Sequence, residues 1–174
     1  MKKKSIEELN RMDVKNYKVF PKKRFVVLLD NIRSMHNIGA IFRTADAFLI
    51  EKLYLCGITA CPPNREIHKS ALGATESVDW EYYENGLDAV MHLKSNGYKI
   101  VALEQTHHSI ALESFVYNDV PIALIVGNEI NGVSDEVMKV IDEAVEITQY
   151  GTKHSLNVSV STGIAMWEMT RASS

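Results

Sequence analysis

Short, uninterrupted runs of apolar residues recur along the chain, and they limit its possible folds more than any other feature. Each run is four to six residues long and lacks the apolar–polar alternation of a strand in a sheet with one solvent-exposed face. Such runs are typical of strands covered on both faces, as in parallel sheets. Five of them predict strands, namely Phe25–Leu29, Lys52–Cys56, Ile100–Leu103, Pro121–Val126 and Ala144–Ile147.

Amphipathic segments separate these runs. The first has apolar residues at helical spacing, which are Ile38, Ile41, Phe42, Ala45 and Phe48. We place its N-cap at Asn37. Further helices are predicted over Leu87–Lys94, from Ser134 onward, and from about Ser155 to Arg171. Strands that alternate with helices predict an α/β domain with a mostly parallel sheet flanked by helices.

Positive charge is concentrated at the N-terminus. Residues 1–24 contain nine Lys and Arg against three Asp and Glu, whereas the whole chain has a net charge of −3. A basic arm on an acidic body fits contact with a polyanion, and a solvated tail that aids solubility is the alternative. We therefore divide the chain into a basic N-terminal arm, residues 1–24, and one domain, residues 25–174.

The sequence lacks an apolar run of the ~20 residues that a membrane helix needs. Its Lys-rich start also lacks the apolar region of a signal peptide. We therefore expect a cytoplasmic protein with no membrane contact. Cys56 and Cys61 form a C-x4-C pair without a second pair or a nearby His doublet, so we expect reduced cysteines and no metal site.

Three polar clusters stand where ligands bind in open α/β sheets. The first is Asp30–Ala40 together with Arg43, after the first strand, and the second is Gly127–Ser134, after the fourth. The third is Ser155-Leu156-Asn157 at the start of the last helix, where unpaired N–H groups are able to hold a polar ligand. The clusters lack a P-loop lysine, a dinucleotide glycine motif and a serine-hydrolase elbow.

In order and spacing, the clusters resemble the three motifs of the SpoU/TrmH family of RNA ribose 2′-O-methyltransferases. The matching segments are Asn37–Ala47, Lys69–Ala74, Leu124–Glu129 with Gly132–Ser134, and Ser155–Val160. The resemblance extends from about Phe25 to Arg171. It implies a C-terminal segment threaded as a deep trefoil knot, a feature that composition does not suggest. It also implies S-adenosyl-L-methionine as the cofactor and a homodimer that completes each active site across its interface.

The same resemblance implies roles for individual residues. It makes Arg43 the catalytic arginine and Asn37 the asparagine that supports it. The implied catalytic set is Arg43, Asn37, Glu129, Ser155 and Asn157. The implied cofactor-binding set is Leu103, Glu104, Gly127, Ile147, Ser155 and Leu156. We assign RNA contact to Lys22, Lys23, Arg24, Arg33 and Arg43.

Family members usually carry Ile-Pro-Met before the glycine of the third motif. This chain has Ile147-Thr148-Gln149-Tyr150-Gly151 there, with Thr148-Gln149-Tyr150 in place of Pro-Met, so we expect the adenine pocket to differ in detail. Two roles stay open for Arg43. It either accepts the proton of the 2′-OH or grips the neighbouring phosphate, and the second fits a guanidinium that keeps its charge. The expected substrate is structured RNA, with tRNA slightly favoured over rRNA because no additional ribosomal-type substrate domain is present. The alternative is a non-catalytic knotted module that binds S-adenosylmethionine or RNA.

Overall fold

Seven strands and seven helices make up the ordered framework in the computed structural model, which describes residues 1–5, 7–118 and 120–172 of the 174. The strands are β1 (Phe25–Asp30), β2 (Lys52–Cys56), β3 (Trp80–Tyr83), β4 (Lys99–Leu103), β5 (Ile110–Ala111), β6 (Ile122–Val126) and β7 (Glu143–Glu146). The helices are α1 (Val14–Val19), α2 (Met35–Ala47), α3 (Arg65–Ala71), α4 (Ala74–Ser77), α5 (Gly86–Ser95), α6 (Asp135–Met138) and α7 (Val158–Ala172). None of these helices combines the length and the apolarity that crossing a lipid bilayer requires.

The strands form one sheet in the order β3-β2-β1-β6-β4-β7-β5. All six ladders between these strands are parallel, and Val27 of β1, for example, lies between Leu53 and Leu124. The predicted α/β class with a mostly parallel sheet is therefore confirmed. Because the strands are parallel, their carboxyl ends meet at one edge. The segments that follow β1, β6, β4 and β7 are consecutive neighbours there.

Helices cover both faces of the sheet. Val27 and Leu29 of β1 are fully buried in the apolar layer that α2, α3, α4 and α7 also build. Val26 and Leu28 are buried in the opposite layer, which α5 and α6 complete. Period-two alternation sends successive side chains to opposite faces. Each fully buried aliphatic side chain contributes about 1.5–3 kcal/mol.

The five predicted strands are present, but β3 and β5 were not predicted. Both lie at the edges of the sheet, and their side chains are partly exposed. An edge strand such as Trp80-Glu81-Tyr82-Tyr83 includes a charged residue and therefore does not read as an apolar run. The short helices α3 and α4 were missed as well. They are stabilised mainly by packing against α2 rather than by their own length.

Two predicted helix starts are wrong. Ser34, not Asn37, is the N-cap of α2, and its Oγ accepts the N–H of Asn37 at 3.3 Å. Asn37 lies inside the first turn, where its side chain is buried. The last helix begins at Val158 rather than at about Ser155. In both cases a side-chain cap, rather than the first polar residue of the motif, sets the boundary.

Helix α1 lies within the predicted basic arm. Its Tyr17 is buried and donates a hydrogen bond to the carbonyl of Ala45 at 3.4 Å, while the Lys22 ammonium lies 4.5 Å from the centre of the Tyr17 ring. Arg24 donates to the carbonyl of Asn96 at 2.9 Å. The second half of the arm therefore packs on the body of the protein. The division of the chain at residue 24 stays a prediction.

Candidate functional site

Three residues far apart in sequence form a hydrogen-bonded cluster at the carboxyl edge of the sheet. The Asn37 side-chain amide donates to Glu129 Oε1 at 3.1 Å. The Asn157 side-chain amide donates to Asn37 Oδ1 at 3.2 Å. Asn37 therefore uses both ends of its carboxamide to join the other two. One member of each predicted polar cluster takes part, so the fold brings all three clusters together.

Glu129 also holds the start of α2. Its two carboxylate oxygens accept the backbone N–H groups of Arg33 and Ser34, each at 3.1 Å. These donors stand at the N-terminal end of a helix, where negative charge is favourable. Partial burial acts to raise the pKa of Glu129, but the N–H donors of Arg33 and Ser34 and the amide of Asn37 together hold it below its usual value. Glu129 is therefore a carboxylate at neutral pH.

The segment Gly127–Ser134, called here the 127–134 turn, is closely packed. A Cβ at Gly127 would lie 2.1 Å from both the carbonyl carbon of Gly132 and the nitrogen of Val133, so only glycine fits. Gly132 has φ +69°, and a Cβ there would lie 2.3 Å from Glu104 Oε2. The same Glu104 oxygen accepts the N–H of Val133 at 3.0 Å. The turn is therefore fitted against the end of β4.

Residues at the end of β1 form hydrogen bonds with the other side of the 127–134 turn. Asn128 Nδ2 donates to the carbonyl of Asn31 at 2.7 Å. Asp30, only 1% exposed, accepts the N–H of Ser134 through Oδ2 at 2.8 Å. With Glu129 bound to the start of α2, side chains tie the turn to β1, α2 and β4. These contacts with the rest of the protein fix the conformation of the turn.

A cavity of about 600 Å³ lies between the 127–134 turn, the end of β4 and residues 147–157. It is lined by all six residues predicted to bind a cofactor, namely Leu103, Glu104, Gly127, Ile147, Ser155 and Leu156. Glu129 and Asn157 line it as well, so the polar cluster borders the cavity. That these residues bind a ligand stays a prediction.

Residues 147–157, called here the 147–157 segment, form the opposite wall. Residues 151–157 are exposed. The Gln105 side-chain amide donates to the carbonyl of His154 at 2.9 Å. Asn157 Oδ1 accepts the N–H of Ser159 at 2.9 Å and thereby caps α7. The expectation of free N–H groups at this helix start is therefore corrected for Ser159 and Val160, whose N–H groups donate to Asn157 Oδ1.

The three residues that depart from the usual family pattern lie in this segment. Gln149 lines the cavity, whereas Thr148 is exposed and Tyr150 is 94% exposed. The departure therefore places a polar side chain on the cavity wall.

Arg43 stands apart from the cluster. It lies on α2 beyond Asn37, its side chain is exposed, and no hydrogen bond or ion pair joins it to any described residue. Ser155 lines the cavity, and its side chain likewise forms no hydrogen bond to a described residue. Of the predicted catalytic set, the structure links Asn37, Glu129 and Asn157 and leaves Arg43 and Ser155 free to meet another molecule.

The basic residues predicted to contact RNA fall into two places. Lys22, Lys23 and Arg24 precede β1 and therefore lie at the amino end of the sheet, opposite the cavity. Arg33 follows β1, and its backbone contacts Glu129. Their contact with RNA stays a prediction.

Three residues that hold the site together had no role assigned from the sequence. Asp30 and Ser34 belong to the first predicted cluster, and Gln105 stands two residues after β4. A polar residue just beyond an apolar run is the signal that would have assigned a role to Asp30 and Gln105. Ser34 stands three residues before Asn37, which is the spacing of a helix cap. Among the described residues, no three His, Cys, Asp or Glu side chains are grouped as a metal site would require.

A cavity at the carboxyl edge of a parallel sheet, next to a bonded polar cluster and an exposed arginine, is the arrangement typical of ligand-binding α/β proteins. The chain belongs to the SpoU rRNA Methylase family, whose model matches residues 24–167. The resemblance drawn from the three motifs is thereby confirmed.

Two curated relatives illustrate the similarity. A tRNA (guanosine(18)-2′-O)-methyltransferase of Aquifex aeolicus (strain VF5) is 35% identical over 150 residues, which are 86% of this chain and 70% of the relative. A protein with the same description from Escherichia coli (strain K12) is 28% identical over 83% of this chain. The chain spans 62% of the length of that second relative.

Solved structures agree with this grouping. The A. aeolicus TrmH/SpoU tRNA modifying enzyme superposes with a TM-score of 0.81 at 31% identity, covering 91% of this chain and 80% of that one. An AdoMet-bound rRNA methyltransferase from Sinorhizobium meliloti also gives a TM-score of 0.81, at 28% identity, covering 87% of this chain and 57% of that one.

Proposed function

We propose that this protein methylates a ribose 2′-OH of structured RNA and uses S-adenosyl-L-methionine as the methyl donor. One observation carries the proposal. The bonded cluster of Asn37, Glu129 and Asn157 borders a cavity in a chain of the SpoU rRNA Methylase family. Relatives named as 2′-O-methyltransferases of tRNA support the reaction.

The cavity residues fit this cofactor. A volume of about 600 Å³ lies within the range of small-molecule sites, ~300–1,000 Å³. Leu103, Ile147 and Leu156 offer apolar surface to an adenine ring, and the carboxylates of Glu104 and Glu129 suit a cationic ligand. When bound, S-adenosylmethionine supplies a methyl group on a sulfonium centre that is open to nucleophilic attack. The AdoMet-bound structural neighbour supports the assignment.

The protein's part in the reaction is to position the RNA. Asn37, bonded at both ends, holds Glu129 and Asn157 in place beside the cavity, so these groups do not reorganise when substrate binds. Arg43 is free and exposed, and we assign it to the phosphate next to the target ribose. Holding the 2′-OH in attack geometry supplies ~7–11 kcal/mol of the barrier in favourable systems.

The substrate is proposed to be tRNA in preference to rRNA, because the named relatives modify tRNA. Lys22, Lys23, Arg24 and Arg33 are proposed RNA contacts in addition to Arg43. We place the reaction in the cytoplasm, where tRNA is abundant.

Deletion of residues 2–12 should raise the Kd for RNA and spare cofactor binding. Unchanged RNA affinity would remove residues 2–12 from the proposal, and unchanged affinity of a variant with Ala at Lys22, Lys23 and Arg24 would remove the rest of the arm.

The C-terminal part of the chain is proposed to form a deep trefoil knot. The bond from Gln105 to His154 and the bond from Asn157 to Asn37 support it, since they hold the segment before α7 against the loop after β4 and the start of α2, both earlier in the chain. The similarity to the A. aeolicus structure supports it as well.

A homodimer is also proposed, with α7 at its interface. The exposed apolar face of this helix supports the proposal. It comprises Val160, Ile164 and Trp167, which border a shallow depression shared with Phe48 at the C-terminal end of α2. Sedimentation of wild-type protein should give the mass of two chains, and Trp167→Glu should give that of one. A wild-type monomer would overturn this part of the proposal.

The decisive experiment is transfer of labelled methyl from S-adenosylmethionine to unmodified tRNA and rRNA pools. Wild type should label one pool at a ribose 2′-O position, and Arg43→Ala should lose the label while cofactor binding persists. Absence of label from both pools, with cofactor bound, would favour the non-catalytic binding module. Arg43→Lys with normal turnover and unchanged RNA affinity would contradict the phosphate grip, because lysine lacks the bidentate fork.

A further inference from the structure

Basic side chains of the body differ in whether an acidic partner neutralises them. Five of the Lys and Arg side chains in residues 25–172 form ion pairs, and these are Lys52, Lys69, Lys94, Lys99 and Arg171. The other five in that range form neither an ion pair nor a side-chain hydrogen bond with a described residue, and these are Arg33, Arg43, Arg65, Lys139 and Lys153.

Arg65 lies at the same edge of the sheet as the cavity. It is the first residue of α3, and the loop before α3 is bonded to the end of β1. In that loop the N–H of Ile58 donates to Asn31 Oδ1 at 3.2 Å, and Thr59 Oγ1 accepts the N–H of Ile32 at 3.0 Å.

Helix α3 then packs directly on α2, the helix that carries Arg43. A Cβ at Gly39 would lie 2.3 Å from the carbonyl oxygen of Ile67, so the two backbones are in close contact. Because α2 and α3 both start from the carboxyl edge, Arg65 stands beside the helix of Arg43.

Lys153 lies in the segment that forms the other wall of the cavity. It belongs to the exposed 147–157 segment, and its neighbour His154 is bonded to Gln105. Lys139 is the one unpaired basic residue of this group that lies away from the cavity. It follows α6, whose Val137 packs in the opposite helical layer, so Lys139 lies across the sheet from α2 and α3.

We propose that Arg65 and Lys153 contact RNA phosphates on the two sides of the nucleotide that meets Arg43. The inference rests on the proposed function and names the surface that recognises its RNA. A phosphate contact requires a cation that is free to pair, and an ion pair would have to be broken first. The unpaired basic side chains around the cavity are therefore available to bind RNA phosphates, whereas the ion-paired lysines are not.

The experiment compares Arg65→Ala, Lys153→Ala and the matched control Lys139→Ala with wild type. The probe is an unmodified tRNA transcript, and the Kd is measured from about 50 to about 200 mM salt. Each site variant should raise the Kd about three- to tenfold and lower the slope of log Kd against log salt by about 0.7–0.9. Lys139→Ala should match wild type. Arg65→Lys should keep most of the slope, because the charge is retained, and calorimetric affinity for S-adenosylmethionine should not change.

Slopes equal to that of the control would overturn the proposal. A change in sedimentation with unchanged RNA binding would also overturn it, since it would assign Arg65 to contact between protein copies. Failure of the proposed function is distinguishable. In that case wild type transfers no methyl to either RNA pool, whereas the salt slopes of RNA binding are measured independently of turnover.

Discussion

The 127–134 turn and the 147–157 segment face the same cavity, yet the protein holds them very differently. The turn is bound by Asp30, Glu104 and the backbone of Asn31, and through Glu129 it binds the start of α2. The 147–157 segment is exposed over residues 151–157. Within the described residues, the side-chain hydrogen bonds that join it to the rest of the protein are those from Gln105 and to Asn37, and Ile147 packs against the apolar core.

The difference separates a part of the site that is built in advance from a part that needs a ligand to cover it. Segments with few buried contacts open locally at low free energy, and a ligand that contacts them shifts their population. We therefore expect S-adenosylmethionine to order the 147–157 segment and to leave the 127–134 turn nearly unchanged. Asn37 joins the two regions, so substitutions on either side of it test the comparison.

The largest effect is expected from Gly127→Ala. The new methyl would lie 2.1 Å from backbone atoms of the turn, which have no flexible side chain to move aside. We expect destabilisation of about 1–3 kcal/mol and loss of cofactor binding. Urea unfolding and calorimetry measure both. The matched control is Gly151→Ala in the other region, where a Cβ meets nothing within 4 Å. Equal effects of the two substitutions would contradict the comparison.

Asn37→Ala comes next, because it removes the residue that connects the two regions. Loss of its bonds to Glu129 and Asn157 should destabilise the protein by about 1–3 kcal/mol. Methyl transfer should fall by ~10²-fold, since Glu129 and Asn157 lose their common support. The control is Asn64→Ala, which removes the N-cap of α3 and should lower stability with little effect on kcat. A kcat loss as large in the control would show that Asn37 acts only through stability.

Low pH should weaken the attachment of the 127–134 turn to α2, because it protonates Glu129. Its pKa is lower when folded than in the unfolded chain, so its contribution to stability is complete above the usual glutamate range. That contribution is lost as the pH falls through the folded pKa, which lies below the usual pKa of a glutamate. Amide chemical shifts of Arg33 and Ser34 should titrate in that acid range, and Glu129→Gln should abolish the change. Titration of these amides near neutral pH would contradict the assignment.

Gln105→Ala should have the smallest effect. The bond to His154 is exposed, and its loss should change stability by less than about 0.5 kcal/mol. Amide hydrogen exchange in the 147–157 segment should become faster, while Val133 in the turn keeps its protection. Gln105→Glu should behave alike, because a carboxylate lacks the donated N–H. Faster exchange at Val133 in Gln105→Ala would show that the two regions form one cooperative unit.

The elements that could be predicted are those with strong local signals. Strands β1, β2, β4, β6 and β7 are covered on both faces or nearly so. Burial on both faces requires consecutive apolar residues, and such runs are visible in the sequence. The edge strands β3 and β5 and the short helices α3 and α4 lack such a signal, because neighbouring elements rather than their own composition stabilise them. The residues of the three motifs were identified for the same reason, as each motif is continuous in sequence.

The sequence by itself determined the α/β class, the order of the motifs and the residues able to carry chemistry. Only the tertiary structure decided which of them meet. Asn37 binds Asn157 across most of the chain because β1, β6, β4 and β7 are neighbours in one parallel sheet, whose carboxyl ends share an edge. It also decided that Ser34 caps α2 and that Arg65 stands beside the helix of Arg43. Such contacts depend on packing between distant segments, which the local pattern of residues does not encode.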